Sequence, residues 1–183
     1  MTLVKRLARS VSRFFLLRYS VLLLIKIGWV CSRTWSHLRF RALVPGAGDS
    51  VCNWTVEIKH PQNLTIGNNV RIGPCASIGA ASPITIKDNV VISRGVIIET
   101  AGLDLKKDIP YPHISKPIVI ERGAWIATNA IILGGVTIGE NALIGAGAIV
   151  GRDVPPNSIV KPAAVQTHTR FTANSVTAGM AER

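Results

Sequence analysis

The chain has 183 residues, 48% of them apolar and only 5% aromatic, and carries a formal charge of +11. That length suits one domain with a terminal appendage. Three cysteines, Cys31, Cys52 and Cys75, show no metal-ligand spacing, and their odd count argues against a disulfide framework and fits a reducing compartment. The charge is lopsided, since every basic residue up to Arg41 precedes the first acidic one, Asp49, and the rest of the chain is close to neutral.

Residues 1–44 form the basic segment. Leu3, Leu7, Val11, Phe14 and Phe15 recur at helical spacing and predict an amphipathic helical arm. The run FFLLRYSVLLLIKIGWVC follows, apolar but interrupted by Arg18 and Lys26. A secretory signal would lack those charges and end at a small-residue cleavage site, and neither condition holds. A spanning helix would bury both cations at roughly 2.5–3.5 kcal/mol each near the midplane. A helix in the membrane interface would let them snorkel to anionic headgroups, with Trp29 and Trp35 at headgroup depth. Packing against the rest of the chain or another subunit is the third alternative. A nucleic-acid role is not expected, because Leu, Ile and Phe dominate the segment and no recognition module follows it.

Beyond the arm one register governs residues 45–165. Ile66, Ile72 and Ile78 are six apart, as are Ile86, Ile92 and Ile98. Ile120, Ile126, Ile132, Ile138, Ile144 and Val150 continue the period. Four residues after each comes a smaller side chain, such as Val70, Ala76, Ser82, Val90, Val96, Gly102, Ala124 and Ala130. A period of six marks a parallel β-helix, an all-β fold in which three short faces close a triangular coil.

Two breaks interrupt the register. The step of eight from Ile78 to Ile86 predicts a corner insertion at Ser82-Pro83. The longer step from Ile98 to Ile120 predicts an excursion over residues 103–117, read as a full triangle of hexads with a few residues added. Pro110, Pro112 and Pro117 are expected to keep it out of any ladder. Long loops on rigid scaffolds usually carry function, so the excursion is the candidate site. Of the four histidines, His37 lies in the arm, His60 precedes a corner proline, His113 is in the excursion and His168 is in the tail of residues 166–183. With the cysteines they form no metal constellation, so no metal is expected.

The stretch IERGAWIATNAIILGGVTIGENALIGAGAIVGRDVPPNSIV, the excursion ahead of KPIVIE, the junction Ala124–Ala127 and the closing Arg152–Pro156 carry a resemblance. Over about residues 58–165 the chain resembles the hexapeptide-repeat O-acetyltransferases, above all those that modify sugars in capsule, O-antigen and colanic-acid synthesis. The resemblance implies a left-handed β-helix that forms a homotrimer, with acetyl-CoA in the cleft between subunits. It also implies a loop histidine as general base on the acceptor hydroxyl and backbone N–H groups for the oxyanion.

Related enzymes carry a Thr-x-His run where this chain reads Thr100-Ala101-Gly102-Leu103-Asp104. His113 is therefore the candidate base, with Glu99 or Asp104 to orient it. A structural loop histidine and solvated corner carboxylates are the alternatives. Trp125 is placed against the pantetheine, or else in trimer packing. Gly134-Gly135 and Ala146-Gly147 allow close backbone approach, and Arg152 and Lys161 are placed to meet the nucleotide phosphates. Where the family continues with a Gly-Asn-Pro-Ala-Lys-like run, this chain has Val160-Lys161-Pro162-Ala163-Ala164. The expected activity is acetyl-CoA-dependent O-acetylation of a sugar or lipid-linked glycan, at the inner face of the cell membrane. A non-catalytic β-helix scaffold of a glycan-synthesis complex is the alternative.

Overall fold

The structure, a computed structural model, describes the backbone of residues 2–162 and the side chains of residues 17–162, so His168 and the 166–183 tail lie outside the described residues. One long helix, α1 (Thr2–Leu43), opens the chain. Among the described residues, its last turns pack against the rest of the molecule. Ser36 and Phe40 are buried there, and Val44 and Ala47 continue the contact into the core. The Arg39 guanidinium donates from Nη1 to the carbonyls of Trp54 at 2.8 Å and Val56 at 3.1 Å. Arg41 donates to the Gly48 carbonyl. The end of α1 is thus the cap that closes the first coil and shields its apolar interior from water.

The expected parallel β-helix follows. Its first face stacks β1 (Val51–Cys52), β4 (Arg71–Ile72), β7 (Val91–Ile92), β12 (Trp125–Ile126), β15 (Leu143–Ile144) and β17 (Ile159–Val160). The second face stacks β2 (Glu57–Lys59), β5 (Ser77–Gly79), β8 (Ile97–Glu99), β13 (Ile131–Leu133) and β16 (Ile149–Val150). The third stacks β3 (Leu64–Ile66), β6 (Ile84–Ile86), β11 (Ile118–Ile120) and β14 (Thr137–Ile138), and Val154 bridges to Ile138 below it. All these pairs are parallel and in step, with Ile72 opposite Ile92 and Ile132 opposite Val150. Strands this short cannot stand alone; stacking turns their one-residue apolar faces into a continuous core.

The isoleucine register lies inward throughout, from Ile66 to Ile144, every member nearly fully buried. On the third face, however, the small inward slots are not where the hexad count puts them. Ser82 is half-buried and Gly102 is exposed. Ala80 and Thr100 occupy those corner slots instead, and Ile84 and Ile118 add a second inward residue to their strands. Strand alternation decides this, because in Ile84-Thr85-Ile86 both isoleucines share one face. The step from Ile98 to Ile120 is therefore not a full triangle with an addition. It is the same corner as Ile78 to Ile86, opened to admit an insertion.

At the corner between the third and first faces, Asn69, Asn89, Asn141 and Asn157 turn the chain in the left-handed region, with φ of 53–59°. Asparagine tolerates this conformation better than most residues. It also links coils here, the Asn69 amide donating to Asn89 Oδ1 at 2.8 Å.

Candidate active site

The insertion is an antiparallel hairpin. Its strands are β9 (Ala101–Leu103) and β10 (His113–Ser115), with Leu103 opposite His113, Gly102 opposite Ile114 and Ala101 opposite Ser115. The expectation that prolines would prevent pairing is corrected at this point. Pro110, Pro112 and Pro117 all fall outside the paired register, and the Pro112 carbonyl accepts from Asp104 N.

The hairpin is fastened at its foot. Thr100, buried at 2% exposure, donates from Oγ1 to the Gly79 carbonyl at 2.8 Å and accepts from Ser82 N at 3.1 Å. On the returning side Ser82 Oγ donates to Ser115 Oγ at 2.6 Å, and Lys116 N donates to the Thr100 carbonyl. The sequence placed Ser82 at a corner insertion and Thr100 at the start of the excursion, but gave none of the three hydroxyl residues a fastening role. The signal available was polar residues at corner positions where the register expects small apolar ones.

His113 stands on β10 with its residue exposed, and among the described residues no hydrogen bond engages its ring. The two proposed orienting carboxylates are occupied elsewhere. Glu99, at the end of β8, accepts from Ala101 N at 3.1 Å and lies over Gly79, where a Cβ would collide with the carboxylate. Asp104 accepts from Lys106 N at 3.2 Å and shapes the turn at the hairpin tip. The register sets Leu103, not Asp104, across from His113.

The residues proposed for the cofactor divide between two corners. Gly134 and Gly135 lie directly beneath the hairpin foot. A Cβ on Gly134 would stand 2.5 Å from the Thr100 carbonyl oxygen, and one on Gly135, whose φ is +90°, would stand 2.9 Å from Lys116 Cδ. Gly134 thus lets the coil and hairpin backbones pass, and Gly135 makes room for the Lys116 side chain. Arg152 is exposed on the same side, after β16. Ala146 and Gly147 occupy the corner between the first and second faces, where Gly147 has open space above it. Lys161 is exposed just past β17, on the coil below. Within one chain Arg152 and Lys161 therefore sit on different edges of the prism, separated by the width of the second face.

Trp125 is half-exposed on the first face, its Nε1 donating to Ser93 Oγ at 3.1 Å. It continues an outward apolar row with Val91, Leu143 and Ile159. The second face carries a similar row of Ile97, Ile131 and Ile149. An open groove of about 390 Å³ along the third face is lined by Thr65, Thr85, Asp88 and the pairs Lys87–Glu121 and Arg122–Glu140. No group of three metal-ligating side chains occurs among the described residues.

Residues 63–100 match the family model described as the hexapeptide repeat of succinyl-transferase, and residues 117–152 match that of the bacterial transferase hexapeptide. The gap between the two matches holds the hairpin. The Escherichia coli galactoside O-acetyltransferase is 35% identical over 106 residues, 57% of this chain and 52% of that protein. The Escherichia coli protein assigned as a colanic acid biosynthesis acetyltransferase is 31% identical over 107 residues, 58% of each chain. The chain thus spans about half the length of the curated relatives it matches. A hexapeptide-repeat acetyltransferase of Vibrio cholerae, solved in complex with acetyl coenzyme A, superimposes with a TM-score of 0.62 at 32% identity, covering 65% of this chain and 67% of that one. A second structure of that protein gives 0.65 at 30% identity, over 69% and 74%. The repeats, the stacked coils and this relative together show that the chain belongs to the hexapeptide-repeat acetyltransferase family.

Proposed function

We propose that the protein is an acetyl-CoA-dependent O-acetyltransferase acting on a sugar hydroxyl in surface polysaccharide synthesis, with His113 as general base. The observation that carries this reading is the hairpin. It is fastened to two coils and holds out a single imidazole with no structural hydrogen bond to account for it. Solved relatives bind acetyl coenzyme A or coenzyme A, and the galactoside enzyme is named for a sugar acceptor.

In the reaction the imidazole takes the acceptor hydroxyl proton as the oxygen attacks the thioester carbonyl carbon. The resulting oxyanion collapses, the carbon–sulfur bond breaks, and the imidazolium returns the proton to the leaving thiolate. The acetyl ester and free CoA are the products. An alcohol is a weak nucleophile at neutral pH, so a base within hydrogen-bond reach is the least such a site needs. The acetyl-CoA cleft lies between copies of a homotrimer, where the outward apolar rows of the first and second faces stack.

A second reading, a non-catalytic scaffold, is favoured by one observation, that Glu99 and Asp104 do not hold the imidazole. Two measurements decide. Titration calorimetry with acetyl-CoA is expected to show binding, which a scaffold would lack. His113→Ala is expected to lower kcat by about 10²–10⁴-fold with acetyl-CoA affinity unchanged, because a base acts in the transition state and not in ground-state binding. Wild-type turnover by that variant would place the base elsewhere.

A further inference from the structure

The part of α1 that does not touch the solenoid is an unaccounted surface. Leu17, Val21, Leu22, Leu23, Leu24, Ile25, Ile27, Val30 and the two tryptophans Trp29 and Trp35 are all exposed. Nothing among the described residues covers them. Over residues 17–35 the cations of this helix share one side, together with Leu22 and Trp29. At about 100° per residue, Arg18, Lys26 and Arg33 fall within a sector of about 80°, with Arg33 stacked on Trp29 at 5.5 Å. Leu17, Leu24, Ile27 and Trp35 lie on the opposite side. None of the three cations is paired with a carboxylate among the described residues, and the helix contains no acidic residue at all. No helix among the described residues is long and apolar enough to cross a membrane.

We propose that residues 17–35 of α1 lie in the surface of an anionic lipid bilayer, the cationic sector toward the headgroup phosphates and the opposite side in the acyl boundary. An anionic surface answers both features at once. The apolar side leaves water, and the cations meet phosphates that no residue of the helix supplies. Pairing with a second copy would answer only the first, since the same three cations would recur on the partner with no acidic residue opposite. Trp29, stacked under Arg33 in the cationic sector, then sits at headgroup depth, where an amphipathic ring is favoured, while Trp35 faces the acyl boundary. Such binding would hold the protein at the inner face of the cell membrane. Because the last turns of α1 are also the cap of the first coil, the bound helix would fix the prism to the bilayer by its capped end. Lipid-linked glycans would be the accessible acceptors. The proposal does not rest on acetyl transfer, and its test reads binding alone.

The test is flotation of the full-length protein with phosphatidylcholine vesicles, with and without phosphatidylglycerol. Co-flotation is expected with the anionic vesicles and is expected to weaken as salt screens the charges. The double variant Arg18→Glu, Lys26→Glu is expected to lower the partition coefficient by about tenfold or more. Leu24→Ser, Ile27→Ser is expected to lower it as well, through lost apolar contact. All four positions are exposed, so unfolding of the solenoid should be unchanged and serves as the folding control. Three outcomes would overturn the proposal: no binding to anionic vesicles, equal binding that ignores charge reversal, or an oligomer dissolved by Leu24→Ser, Ile27→Ser in a protein that ignores vesicles. The last would identify a second copy as the occupant.

Discussion

Cys52 is buried in the core that also includes Phe40, and burial pushes its thiol up to about 12 from an ordinary 9.0, with the nearby Arg39 charge pulling the other way. The folded state therefore keeps the proton that the unfolded chain gives up above pH 9. Unfolding releases a proton between about pH 9 and 12, so the stability this group contributes is complete below that window and is lost as pH rises through it. Thiol titration at pH 8 is expected to find Cys31 and Cys75, both exposed, and to reach Cys52 only after denaturation. Three fast thiols in the native protein would contradict its place in the core. Gly134 offers a second residue-scale check. Gly134→Ala drives a methyl into the Thr100 carbonyl. It is expected to lower turnover more than it lowers the melting temperature, since it disturbs the hairpin foot while the inward residues stay in place.

At the scale of elements the coils were legible and the hairpin was half legible. Isoleucine every six residues fixes which residues face inward on two faces, because a β-branched chain fits a narrow interior and a charge does not. Ile132→Lys is accordingly expected to abolish cooperative folding, since an unpaired ammonium in that interior costs several kcal/mol. A normal thermal transition would refute the assignment. The third face was misread at Ser82 and Gly102 because a six-residue count ignores the two-residue alternation of Leu64-Thr65-Ile66 and Ile84-Thr85-Ile86. The excursion was found from its length. Its pairing was missed, because whether a proline breaks a ladder depends on where the register falls. Partners of His113 were not legible at all, as the Glu99 and Asp104 carboxylates turn to backbone N–H groups that sequence does not reveal. The latch of Thr100, Ser82 and Ser115 makes its own prediction. Thr100→Val leaves the part-buried Ser82 N without its acceptor, at a cost of about 1 kcal/mol or more. Limited proteolysis is expected to cut the variant's hairpin faster than the wild type's.

For the whole molecule, the helix and the solenoid are joined more deeply than a boundary at residue 44 implies. Ser36, Phe40 and Val44 belong to the core, and Arg39 satisfies two first-coil carbonyls. Deleting residues 1–34 is expected to leave a folded solenoid of unchanged melting temperature. Deleting residues 1–44 uncovers Cys52 and Val56 and is expected to lower it by several degrees, at about 1.5–3 kcal/mol for each large apolar side chain lost from the cap. Calorimetry of the two truncations separates the cases. Light scattering of the shorter truncation is expected to give the mass of three chains, with the apolar rows of Trp125 and Ile97 between copies.

The cap has a further consequence, for the order in which the protein assembles during synthesis. Each coil rests only on the one before it, and the capped end is also the end that leaves the ribosome first. Val51 waits for Arg71, and Arg71 for Val91, so each new coil finds a finished template. The one long wait is Val91 for Trp125, with the hairpin between them. Closing that corner over the longer span costs only about 1 kcal/mol more than an ordinary one, by the logarithmic dependence on loop length. A site of fourteen inserted residues can thus be carried in the middle of a vectorially growing stack with little delay, and ribosome-bound chains ending after β7 should already hold a protease-resistant first coil.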